Sequence, residues 1–217
     1  MSDLPKDAKR GRLGFLLGLL LIVGGAYLAI ALPAQFAPSS YTLLGEDGVV
    51  EFLQLIFLVL SAALFFAAAP HAGRIKPIFQ ALGFGAVAGA IGEYAVPLED
   101  LLSPMKTEWL LWPIFVVIAY LFFSDTKAFS RFWGYASRRP AAGFMFAGLI
   151  IAYVFVELFG SSWFWQKHLG TGFDPRIPKV VDAYLELLAC YFIFVASIGF
   201  ALPVTGRANV QKAREKA

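Results

Sequence analysis

Five acidic residues stand where acids are costly. Glu51, Glu93, Glu157, Asp182 and Glu186 each fall inside a stretch of otherwise apolar sequence. Carboxylate oxygens suit hard divalent cations such as Ca²⁺, Mg²⁺ or Mn²⁺. A metal held by them would activate water against a lipid-linked or periplasmic small molecule. Zinc would also draw in His168, one of only two histidines. The second chemistry open to acids within a membrane is ion or proton passage. A third reading is a non-catalytic assembly subunit. Beside all three stands internal neutralisation: Lys106, Lys167, Arg176, Lys179 and His168 are on hand as partners, or a bound proton could serve.

Helix direction separates the five acids. Glu51 and Asp182 come early in their apolar stretches, where an anion meets the positive end of a helix dipole, so helix stabilisation explains them. Glu93 and Glu157 come near C-terminal ends, where the dipole opposes an anion, so they need a cation, a proton or a basic partner. At about 100° per residue, Glu93 shares a face with Gly83, Gly85, Ala86, Gly89 and Ala90, small residues that admit a neighbouring helix. Asp182, Glu186, Cys190 and Ser197 fall within an arc of about 80° on the last stretch, as do Glu51, Gln54 and Ser61 on an earlier one. Tyr153, one turn before Glu157, is placed to hydrogen-bond it.

The elements that carry these residues are membrane spans. The chain has 217 residues, 59 % of them hydrophobic and 15 % charged, with a mean hydropathy of +0.70. A water-soluble domain is nearer half apolar and a quarter charged. A disordered chain, a disulfide scaffold (Cys190 is the sole cysteine) and a nucleic-acid-binding domain are excluded. Six apolar stretches, about 13–32, 49–69, 78–96, 105–123, 142–160 and 180–204, predict an all-α polytopic bundle forming a single integral membrane domain. Ala29-Ile30-Ala31 fits a small-x-small cleavage pattern, but the apolar run before it is too long for a typical signal core, so the first stretch is read as a retained span.

Charge sets the expected orientation. Fourteen of the 18 basic residues lie on one side: four in the N-terminal tail, two in the second loop (Arg74, Lys76), four in the fourth loop (Lys127, Arg131, Arg138, Arg139) and four in the C-terminal tail. Both termini are therefore expected in the cytoplasm, which also explains the basic pI without invoking nucleic acid. All five of these acids then fall within about two turns of the outer ends of their stretches. The inner halves carry only groups such as Ser61, Gln80 and Ser197, so a one-sided site ranks above a transport path.

Several enzyme classes lack their residues. Gly160-Ser161-Ser162 has no helix-borne histidine partner of the kind rhomboid proteases need, and Arg138-Arg139-Pro140 lacks the companion histidine of membrane phosphatases. The three-histidine set of ceramidase-like hydrolases, the paired cysteines of a disulfide oxidase, a P-loop and a dinucleotide fingerprint are all missing. Glu46-Asp47-Gly48-Val49-Val50-Glu51, running into a span, resembles the E-D-G-x-x-E opening of uncharacterised bacterial six-helix inner-membrane proteins. Leu185-Glu186-Leu187 is similar to a Leu-Glu pattern there. That resemblance implies six spans and a bacterial inner membrane, and it carries no activity. The expectation is thus a carboxylate-lined pocket open to the periplasm, binding a cation or a metal, with the acids above as its candidate ligands.

Overall fold

A computed structural model describes residues 48–95, 98 and 106–215, and the side chains of these up to 206. Its elements are all helical, with no strand among the described residues. In chain order they are α1 (Val49–Ala68), α2 (Lys76–Glu93), α3 (Thr107–Ser124), α4 (Thr126–Ala136), α5 (Pro140–Phe159), α6 (Ser162–Leu169) and α7 (Arg176–Glu215). Five of them, α1, α2, α3, α5 and α7, are long and apolar enough to cross a membrane. That makes the chain a multi-pass membrane protein. The predicted stretch 13–32 lies outside the described residues.

Each helix starts and stops for a local reason. Two 3₁₀ turns, Ala69–His71 and Gly73–Ile75, reverse the chain between α1 and α2. The reversal passes through Gly73 at φ 54°, a left-handed conformation that a side chain would strain. Pro140 opens α5 at its first position, where a missing N–H costs nothing. Thr107 Oγ1 donates to the Ala95 carbonyl at 3.2 Å and ties the end of α2 to the start of α3.

The fourth loop of the sequence reading is instead the helix α4. Asp125 caps it, its Oδ1 accepting from the Ala128 N–H at 3.0 Å. Ala128 and Ala136 are buried on its inner face, beside Phe132 and Tyr135. The last helix also runs further than predicted, starting at Arg176 and continuing through the basic tail to Glu215.

Packing follows an open order, α3–α2–α1–α7–α5. At one end, Phe65, Phe79 and Phe200 form the main buried cluster with Ala68, Ala136 and Ala196. The antiparallel contact of α5 with α7 rests on glycines. A Cβ at Gly148 would lie 3.0 Å from both the Ala189 carbonyl and Ile193 Cγ1, and one at Gly199 would lie 2.8 Å from Ala141 Cβ. Without a hydrophobic drive between helices in lipid, such close approach is what holds them together. Between Ile151 and Phe155 α5 opens into a π turn. It advances more residues from Gly148 to Gly160 than α7 does from Phe192 to Asp182, and the residue inserted by the π turn takes up part of that difference.

Candidate functional site

Chain direction brings the acids to one end of the bundle. Glu51 is in the first turn of α1, Glu93 is the last residue of α2, and Glu157 is near the end of α5. Asp182 and Glu186 lie about two and three turns into α7, which starts at Arg176, so the helix-start stabilisation expected for Asp182 does not apply to it. Glu93 and Glu186 reach a common cavity of about 650 Å³ between the helices. Its walls are otherwise mostly apolar, and Cys190 and Tyr153 face it as well. On α2 the lining runs from Glu93 down to Ala81, about 18 Å at 1.5 Å per residue. One end of the lining is therefore acidic, and toward the other lie side chains such as Phe65, Phe122 and Met145.

The small face of α2 makes this space. Gly83 and Gly89 pack on α1, where an added Cβ would meet Phe66 at 2.9 Å and Leu58 at 3.4 Å. Gly85 lines the cavity, and a Cβ there would touch nothing within 4 Å. The stripe read from the sequence as a helix-packing surface is thus partly that and partly a cavity wall.

Glu186 is held from α1. Gln54 is buried, 1 % exposed. Its Nε2 donates to the Ala183 carbonyl at 3.3 Å and to Glu186 Oε2 at 3.4 Å. Both partners are acceptors, which fixes which way the amide points. Gln54 Oε1 is left with no hydrogen-bond partner among the described residues.

The remaining candidates stand apart from the cavity wall. Glu51, Glu157 and Asp182 do not line it. Glu51 and Asp182 lie within electrostatic range of Glu93 and Glu186, and Glu157 within range of Asp182. Glu157 is exposed, and no hydrogen bond joins it to Tyr153 among the described residues; beyond the π turn the helical spacing that would have aligned them no longer holds. His168 is exposed on α6, its Nδ1 2.7 Å from the Phe164 carbonyl and its ring against that of Phe164.

Among the described residues no Lys, Arg or His nitrogen lies within 4.0 Å of a carboxylate oxygen of Glu93, Glu157, Asp182 or Glu186. Arg176 is 3.9 Å from Asp174 on the surface. Nor do three or more His, Cys, Asp or Glu side chains among the described residues form a group that could hold a metal ion.

Asp182 sits against Gly160 at the end of α5. A Cβ at Gly160 would collide with the Asp182 carboxylate and lie 2.7 Å from the Val156 carbonyl. Gly160→Ala is expected to cost about 1–3 kcal/mol by overpacking. A lower thermal midpoint in detergent is the readout, and an unchanged midpoint would contradict the contact.

No protein-family model matches the chain, and neither the curated proteins nor the solved structures include a match to it.

Proposed function

We propose that this membrane protein binds an amphiphilic cation in its helix-lined cavity, the charged head between Glu93 and Glu186 and the apolar body along α2, α3 and α5. The observation that carries the reading is that two carboxyl groups with no basic partner among the described residues face one mostly apolar space. A buried charge needs a partner, and a cation between two like-charged groups removes both their repulsion and their lack of one. An organic ammonium is favoured over a bare divalent ion. Ca²⁺ asks for about six to eight oxygen ligands, and Mg²⁺ for near-octahedral geometry. The volume is within the usual range of about 300–1,000 Å³ for small-molecule sites, and its acid-to-apolar gradient matches a ligand with a charged end and a hydrocarbon end.

The orientation proposed is both termini in the cytoplasm and the acids toward the periplasm, from the segregation of basic residues. Placement in a bacterial inner membrane rests on the E-D-G-x-x-E resemblance. A one-sided binding site is preferred to ion-coupled transport because the end of the cavity away from the acids is apolar.

Decylammonium and decanol share one hydrocarbon body and differ in charge. Protein in nanodiscs is expected to retain decylammonium about 10–100-fold more strongly, the worth of a charge-assisted hydrogen bond. Equal retention of the two by the protein, after subtraction of empty nanodiscs, would count against a cation site.

A further inference from the structure

The end of the bundle opposite the acids carries a second, unrelated surface. There α4 lies against the bundle end through Ala128, Phe132, Tyr135 and Ala136, which meet Phe79 and Phe200. Tyr135 fixes the contact by donating to the Phe200 carbonyl at 2.8 Å, with the Arg139 guanidinium 4.4 Å from its ring centre. At about 100° per residue the rest of α4 divides in two. Phe129 and Trp133 occupy one flank and are about half exposed. Lys127 and Arg131 occupy the other and are exposed, as is Arg138 just beyond the helix. Trp133 packs edge-on against Phe146 of α5, so the aromatic flank continues onto an apolar spanning helix.

The geometry points to α4 as an in-plane helix that binds the headgroups of an anionic phospholipid leaflet, with Phe129 and Trp133 set into the acyl boundary. Charge complementarity selects the partner. Arg74, Lys76, Lys127, Arg131, Arg138 and Arg139 gather at this end, with Asp125 spent on capping α4. Basic side chains at a membrane surface favour anionic lipid, and an aromatic flank beside them is the pattern of helices that lie in the interface. A soluble acidic protein would match the charge, but it would leave the aromatic flank and its junction with α5 without an apolar partner. This surface is independent of the acid-lined cavity.

Trp133 reports on its own lipid. Its fluorescence is isolated as the difference between the protein and its Trp133→Phe variant, and quenching by brominated phosphatidylglycerol is compared with quenching by brominated phosphatidylcholine. We expect efficient quenching by both and a preference of about fivefold or more for the anionic lipid. The preference should shrink toward one in the Lys127→Gln, Arg131→Gln, Arg138→Gln protein, and in unaltered protein at high salt, a condition that needs no variant to fold. No quenching of Trp133 by either lipid would overturn the proposal. So would equal quenching by the two lipids at low salt, or a preference that salt leaves intact.

Discussion

Gly85→Leu is expected to abolish binding of the amphiphilic cation while improving the fold. The position lines the cavity, and an added Cβ touches nothing within 4 Å, so the new side chain grows into empty space rather than into protein. Removing a glycine from the interior of α2 also stabilises the helix by about 0.5–1 kcal/mol. A leucine there takes the room of the ligand's apolar body without touching either carboxyl group. Decylammonium retention should fall to the level of empty nanodiscs while the thermal midpoint of the free protein holds or rises. A variant that binds as well as the parent would move the site away from this cavity. Few substitutions separate stability from binding this cleanly, because most cavity-lining positions are packed on one side.

The opposite outcome is expected at Gly148. Its Cβ position is already 3.0 Å from the Ala189 carbonyl and Ile193 Cγ1. Leucine there must push α5 off α7, its principal neighbour in the bundle. The loss should reach about 3 kcal/mol or more, the upper end of overpacking costs. Gly143, on the same helix, has nothing within 4 Å of its Cβ position, and Gly143→Leu serves as the control that should leave the midpoint unchanged or higher. Equal losses at the two positions would mean that helix composition, rather than the α5–α7 contact, sets the stability. In a bilayer this contrast is informative, because lipid already solvates apolar side chains and close packing is what remains to hold helices together.

The spans were legible because hydrocarbon leaves the backbone few alternatives: a run of about 20 apolar residues must be helical. Predicted stretches 49–69, 78–96, 105–123, 142–160 and 180–204 all correspond to described helices, with ends shifted by a few residues except at the C-terminus, where α7 runs on to Glu215. The helix α4 was missed because in linear sequence its apolar residues alternate with Lys127, Ser130 and Arg131, and only the helical period gathers Ala128, Phe132, Tyr135 and Ala136 onto the face that meets Phe79 and Phe200.

Within the site, Glu93 was legible from the helix dipole and its small-residue face, and Glu186 from the polar stripe it shares with Cys190. Glu157 met the same dipole criterion but is exposed: α5 packs on α7 through the face that carries Gly148, and the dipole criterion does not say which face a residue occupies. The cavity itself had no sequence signature. Small residues on α2 signal close approach, and which of them meet a helix and which meet empty space depends on neighbours that come from elsewhere in the chain. The role of Gln54 was visible only as a polar residue on the Glu51 face. That it holds Glu186 from across the α1–α7 contact depends on how those two helices are aligned.

The most direct measurement is equilibrium retention of decylammonium by protein carrying both Glu93→Gln and Glu186→Gln, in nanodiscs beside the unaltered protein. Glutamine keeps the shape and the hydrogen-bonding capacity and removes the charge. The account predicts that decylammonium then binds no better than decanol, with a thermal midpoint at or above that of the parent. Undiminished preference for the charged ligand in the folded double variant would contradict it.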